Sequence, residues 1–232
     1  VLTVSHPQHH HDHDHDHDHD HDHDHDHDHD AHAPIEDAEA GEPRFRLLEA
    51  AVRSLLIEKG VVTAEQISRQ IEAMEARTPA IGARVVARAW TDPVFNDLLR
   101  SDPRAACSSM GIDMTNMPDL LVLPNEPGLH HLVVCTLCSC YPRMVLGPPP
   151  AWYKSSAFRA RAVVDPRGVL DEFGVTLPEG TRVRVVDSTA DLRYLVIPMR
   201  PAGTEGWDAE RLAGLVTRDS MIGTGQPNAP GA

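Results

Sequence analysis

From Arg44 onward the apolar residues recur at helical spacing. In "RFRLLEAAVRSLLIEKG" Leu48, Val52 and Leu55 fall at i, i+4 and i+7, and Gly60 stands ready to end the helix. "TAEQ", Thr63 to Gln66, has the form of a capping box and opens a second helix to about Arg77. A third helix is predicted from about Pro79 to Trp90. "TDP" (Thr91–Pro93) and "SDP" (Ser101–Pro103) each place a capping side chain before a proline and start two shorter helices. Residues 44–111 therefore read as a helical N-terminal arm.

The period then changes. "LLVLP" (Leu120–Pro124) and "HHLVVC" (His130–Cys135) read as short strands. "RVRVVD" and "LRYLVIPMR" flank the turn-like Ser188–Asp191 and are predicted to form a hairpin. "DPRGVLDEFG" reads as a helix ending at Gly174, and "DAERLAGLV" as a C-terminal helix. The fold class is α+β: a helical arm followed by a small layered α/β domain over residues 112–232 that carries the chemistry.

Residues 1–43 differ from all of this. Three histidines from His9 lead into a strict His-Asp alternation that runs to Asp30, and fourteen of the sixteen histidines precede Ala33. No apolar residue interrupts the repeat, so it has nothing to bury against the entropy of ordering. It is read as a disordered tail, either a solvated low-complexity segment or a metal-loading tract suited to Co, Ni or Zn. The chain carries a formal net charge of −14. Its repeat supplies ten of the acidic residues, and the remainder is only mildly acidic. There is no Lys/Arg run, so no nucleic-acid footprint. No apolar run has the length of a membrane span, and no signal-peptide pattern opens the sequence, which starts at Val1. A soluble, cytoplasmic protein is expected, with no membrane partner.

Three of the four cysteines lie in "VVCTLCSCYPR": Cys135, Cys138 and Cys140. They are too close together to staple distant parts of a fold, so the cluster points to metal or redox chemistry. A structural zinc site would need a fourth ligand, and neither Cys107 nor His130 and His131 stands at a common zinc spacing. Three readings stay open on spacing: structural zinc, a redox cluster, or a metal with an open coordination position. In the last, the backbone folds over the ion so that the amides of Ser139 and Cys140 come within reach, and partly accessible thiolates can be oxidised. Cys107, on a predicted helix, reads as a buried apolar residue. His130 reads as a strand-end hydrogen-bonding residue, and Trp152, Tyr153, Tyr194 and Trp207 as packing residues. "PPPAW" reads as a rigid loop.

The motif "VCTLCSCYP" resembles the metal loop of nitrile hydratase α subunits. "GPPPAWYKSSAFRARAV", "RYLVIPMRPAGTEGW", "RDSMIG", "IEKGVVTAEQ" and "IGARVVARAWTDP" agree with that family in order, over roughly Phe45 to Gly225. The related γ subunit of thiocyanate hydrolase shares the loop. The resemblance implies that Cys135, Cys138 and Cys140 are thiolate ligands and that Ser139 and Cys140 supply amide nitrogens. It further implies oxidation of Cys138 to a sulfinic acid and of Cys140 to a sulfenic acid. Thr136 matches the cobalt-type pattern, so one Co(III) per chain is implied. The implied reaction is hydration of a nitrile to an amide. The metal would act as Lewis acid, and the Cys140 sulfenate oxygen or a water would attack the nitrile carbon. Implied partners are a β-type subunit, which in the family contributes two arginines to the oxidised sulfurs, and a cobalt-loading activator protein. Two positions depart from the pattern. Arg143 stands where nitrile hydratases usually carry Trp, and His131 where Asn is common. A cation at Arg143 would favour an anionic or polar substrate, which keeps the thiocyanate reading open. A non-enzymatic metal-handling protein is a third reading, resting on the tail and the thiolates together.

Overall fold

The computed structural model describes residues 43–231. The His-Asp tract, with the disorder expected for it, lies outside the described residues.

Five helices come first: α1 (Pro43–Glu58), α2 (Ala64–Glu75), α3 (Pro79–Thr91), α4 (Pro93–Ser101) and α5 (Pro103–Ser109). The capping box forms as the sequence predicts. The Gln66 amide N–H donates to Thr63 Oγ1 at 3.1 Å, and the Gln66 side chain accepts from the Thr63 N–H at 2.8 Å. Asp92 and Asp102 cap α4 and α5 by accepting from Phe95 N–H and Ala105 N–H. The arm is uneven in burial. Neither α1 nor α2 buries a residue. The stripe of Leu48, Val52 and Leu55 on α1 is about half exposed. From α3 the helices enter the core: α3 buries Val85, Val86 and Ala89 and packs on two helices from the second half.

Those later elements are strands β1 (Asp119–Pro124) and β2 (Leu129–Val134), helices α6 (Arg143–Leu146), α7 (Ala151–Lys154), α8 (Ser156–Val164) and α9 (Pro166–Glu172), strands β3 (Arg182–Asp187) and β4 (Leu192–Ile197), helix α10 (Ala209–Ala213), and a 3-10 turn at Asp219–Met221. Helix α3 packs on α6 and α10. The segment after "PPP", read as a rigid loop, turns helical from Ala151.

The expected hairpin does not form. β3 and β4 do not pair with each other. β4 pairs with β1 and β3 pairs with β2, both in parallel. Parallel pairing needs long crossovers, and the chain between β2 and β3 supplies one that contains α6 to α9. The short link at Ser188–Asp191 is committed elsewhere. The Ser188 N–H continues the β2–β3 ladder to Val134 O at 2.8 Å, and the Thr189 N–H turns onto Leu192 O at 3.0 Å. The link therefore carries the chain from one parallel pair to the other. The continuous apolar runs of β2 and β4, in place of alternation, are the sequence mark of such strands. Leu132, Val133 and Val134 of β2 and Leu195, Val196 and Ile197 of β4 are all buried.

An edge-to-face aromatic group closes the layer beside β2. The Trp152 ring lies 4.9 Å from Phe158 and the Tyr153 ring 4.9 Å from Tyr141. Trp207 instead packs under the Arg211 guanidinium, 3.4 Å from the ring centre. Gly147, just after α6, sits at φ 70°, and a Cβ there would collide with the Arg77 carbonyl. Only glycine lets these two backbones meet.

The two histidines of β2 are buried in a polar knot. His130 Nε2 donates to Gly223 O at 2.7 Å, and its Nδ1 accepts from the Asn125 side chain at 3.2 Å. The His131 N–H donates to Asn125 Oδ1 at 2.8 Å. His130 is thus the hydrogen-bonding strand residue that the sequence suggests. Burial lowers the pKa of both imidazoles; at His131 the nearby Arg184 adds to the effect. Protons then bind the unfolded chain more readily than the folded one. The stabilisation is fully present above the unfolded value of about 6.5 and is lost as pH falls through the lower folded values. In metal-free protein Tm should be level above about pH 7 and decline as pH falls below about 6.5, and His130→Gln should flatten that decline. A decline of equal slope in the variant would show that the knot does not set it.

Candidate metal centre

Strand β2 delivers Cys135 into the core, and the chain then doubles over itself. Cys135 Sγ lies 3.5 Å from Cys138 Sγ, and Cys138 Sγ lies 3.3 Å from Cys140 Sγ. All three sulfurs fall within 4.8 Å of one another. Exposure is graded across them: Cys135 is buried, Cys140 half-buried and Cys138 exposed.

Groups distant in sequence hold this loop. Asp187, at the end of β3, accepts from both the N–H and the hydroxyl of Thr136. Arg159 on α8 donates through Nη1 to Thr136 O and Leu137 O, each at 3.2 Å. The Tyr153 hydroxyl on α7 donates to Cys140 O at 3.0 Å. The Cys138 N–H points back at Cys135 Sγ, 3.2 Å away. None of Asp187, Arg159 or Tyr153 was marked by the motif. They lie 13 to 51 residues from their partners, beyond the reach of any spacing argument.

The sulfurs are unequal as acids. The Cys138 thiol is held below the ordinary range, first by its contacts with Cys140 and Cys135 and then by the amides of Ser139 and Cys140, which face it. Cys140 is pushed up to about 12, first by burial and then by Cys138. A set of thiols that share protons this closely is a set that a cation can occupy in their place. The donors are soft, they converge, and two further backbone nitrogens face the central sulfur. The residues therefore fit a thiophilic transition metal. Among the described residues no fourth His, Cys, Asp or Glu joins the group. A closed four-ligand zinc site accordingly lacks its last side chain there.

One side of the loop opens on a cavity of about 330 Å³. Cys138, Ser139 and Cys140 line it, as does Arg143, the first residue of α6. Arg77 and Arg193, which the sequence did not single out, line it too. Cys107 is fully buried in α5, and burial pushes its thiol up to about 11, as for an inert core residue. His130 and His131 are committed to Asn125 and Gly223 and take no part in the sulfur group.

The family profile described as nitrile hydratase, alpha chain, matches residues 44–225. The chain is 50% identical over 182 residues to a nitrile hydratase subunit alpha from a Rhodococcus species, covering 78% of this chain and 92% of the relative. It is 49% identical over 181 residues to the low-molecular weight cobalt-containing nitrile hydratase subunit alpha of Rhodococcus rhodochrous, covering 78% and 87%. Among solved structures it resembles a recombinant thiocyanate hydrolase comprising partially modified cobalt centres, with TM-score 0.76 and 43% identity over 81% of this chain and 92% of that one. A profile that takes in both the arm and the sulfur loop, and relatives at half identity along the same span, agree with the geometry: the chain belongs to the nitrile hydratase alpha-chain family.

Proposed function

We propose that this chain is the metal-bearing α subunit of a cobalt-type nitrile hydratase, an enzyme that adds water across a nitrile to give an amide. The observation that carries the reading is the convergence of Cys135, Cys138 and Cys140 beside an open cavity, in a chain half identical to a cobalt-containing subunit. The three thiolates and the amide nitrogens of Ser139 and Cys140 would hold the ion. Cobalt(III), when bound, supplies Lewis acidity toward the nitrile nitrogen.

The remaining work falls to the chain. Cys138 and Cys140, both reachable from solvent, are the sulfurs placed to be oxidised, with dioxygen or peroxide as oxidant. Cys140 stands in the cavity wall, where its sulfenate oxygen, or a water beside it, would form the new bond to the nitrile carbon. By the water route the water's oxygen would bond to the carbon and both its protons would pass to the nitrile nitrogen. By the sulfenate route the S–O bond would then break as a water restores the oxygen on Cys140 and supplies the two protons. Either way one water is consumed per amide. Arg159, Asp187 and Tyr153 keep the loop in shape through these steps.

A partner of β type fits the arm: α1 exposes Leu47, Leu48, Val52 and Leu55, an apolar face left bare by the described residues. The domain reading of tail, helical arm (44–111) and catalytic part (112–232) belongs to this proposal. So do a cobalt-loading activator protein and a cytoplasmic setting; among the described residues no helix is long and apolar enough to cross a membrane. A second reading, a thiocyanate hydrolase γ subunit, is favoured by Arg143 in the cavity wall.

Purified active protein should contain one cobalt per chain, and mass spectrometry of the loop peptide should show two added oxygens on Cys138 and one on Cys140. Unmodified thiols around exchangeable zinc or nickel would instead support a metal-handling protein. The isolated chain should turn over nitriles at no more than about a thousandth of the rate of its complex with a β-type subunit, because positioned donors around a reacting centre contribute on this scale. Full turnover by the chain alone would refute the need for a partner. Removing the His-Asp tract should leave loaded enzyme nearly unchanged, with poorer cobalt occupancy only when cobalt is scarce during maturation. Equal occupancy across a cobalt titration would exclude a loading role.

A further inference from the structure

One side chain, Asn125, locks the protonation of the histidine knot at the start of β2. The His131 backbone N–H lies 2.8 Å from one end of the Asn125 amide. A backbone N–H can only donate, so that end is the oxygen. The Asn125 NH2 is then the end that faces His130 Nδ1 at 3.2 Å. His130 Nδ1 must accept, and its proton sits on Nε2, which donates to Gly223 O at 2.7 Å. The Asn125 oxygen also takes His131 Nδ1–H at 3.2 Å. Both ends of Asn125 and both nitrogens of His130 are thereby partnered, and the set closes only around a neutral His130. A second proton has no place in it. On Nδ1 it would meet the Asn125 NH2, donor against donor. Turning the Asn125 amide over would set its NH2 against the two N–H groups of His131 instead. His131 differs: its Nε2 bonds no described residue, so a proton there breaks no contact. Around His131, Arg184 and Arg182 of β3 oppose that proton and Glu126 favours it. Arg218 and Asp219, in the C-terminal segment that covers His130, pair with each other.

His130 is 5% exposed, so a charged ring there gains water only if something moves. Two elements cover it. The C-terminal segment, on the Nε2 side, is firmly seated. Met221 and Ile222 are fully buried, and Ile222 O accepts from the Val133 N–H at 2.9 Å. A Cβ on Gly223 would collide with the His131 carbonyl, so the two backbones lie in close contact. The turn between β1 and β2, on the Nδ1 side, is lightly held. Glu126, Pro127 and Gly128 are exposed, and the Asn125 side chain draws the turn onto β2. The Asn125 N–H donates to Ile197 O of β4, and Gly128 O accepts from the Arg182 N–H of β3. The turn is therefore a joint between the two parallel pairs. We propose that it is a proton-operated latch: a proton on His130 expels the Asn125 side chain, and the turn at 125–128 swings off β2 while the C-terminal segment stays in place. Closed, the latch braces β2, the strand that leads into Cys135, from the β1–β4 side. Open, it leaves β2 held by β3 and the C-terminal segment alone.

The test uses the full chain in complex with its partner subunit. Amide hydrogen exchange is read by mass spectrometry at about pH 7.5 and about pH 5.5, corrected for the intrinsic rate at each pH. The His131 N–H is the reporter, because its acceptor is the Asn125 side chain. Protection of peptides spanning Asn125 to His131 should fall about tenfold at the lower pH, while residues 219–225 keep theirs. Asn125→Asp replaces the NH2 with a second acceptor, so a charged His130 is satisfied and protection should hold or rise at the lower pH. His130→Gln should remove the pH dependence, and His131→Gln should retain it. If His130→Gln fails to assemble, Asn125→Asp decides the matter, since every contact of the closed knot has a partner in it. Unchanged protection in wild type overturns the latch. So does a loss that spreads equally over 219–225, which would mean that the whole knot opens. A loss undiminished in Asn125→Asp, or one abolished by His131→Gln, overturns it as well.

Discussion

Everything at this site depends on bringing three sulfurs within 4.8 Å across six residues. A free chain would not stay there. Thiols crowded together gain little from one another, and the tight backbone must be kept from relaxing. The loop is held because its carbonyls and amides are taken up by Arg159, Asp187 and Tyr153, from three different elements. Several of these bonds are charge-assisted, which makes them stronger than ordinary amide pairs. The surrounding fold can be understood as the means of delivering those three side chains.

The parallel pairing does most of the delivery. In the β2–β3 register Val134 stands opposite Asp187. The last residue of one strand therefore sets the carboxylate beside the first residues after the other. An antiparallel β3–β4 hairpin would have left that carboxylate beside its own turn. The crossover between β2 and β3 carries α7 and α8, and with them Tyr153 and Arg159. One topological choice thus brings all three anchors to one end of β2.

Much of this was legible in the sequence, for local reasons. Helix starts are written in short signals, and Thr63, Asp92 and Asp102 act where the pattern put them. The sulfur loop was legible because all three thiols lie within one short segment. Strand pairing was misread because a four-residue polar link between two apolar runs is locally a hairpin signal. Only the two-sided burial of β2 and β4 argued otherwise, and burial is a property of the whole fold. The anchors Arg159 and Asp187, and the cavity residues Arg77 and Arg193, were illegible for the same reason. Each is an ordinary charged residue on an ordinary element, and only tertiary distance gives it a role.

Gly147 links two parts of the molecule in a way that bears on inheritance. Its missing side chain is what allows the segment after α6 to lie on the Arg77 carbonyl. A substitution there would not touch the sulfurs or the cavity, yet it would push the Arg77 backbone away. The constraint lies in the backbone, so it holds at position 147 whatever side chain stands at position 77, and no change at 77 relieves it. Descent is therefore closed at this position to every residue but glycine unless the joint before α3 moves with it.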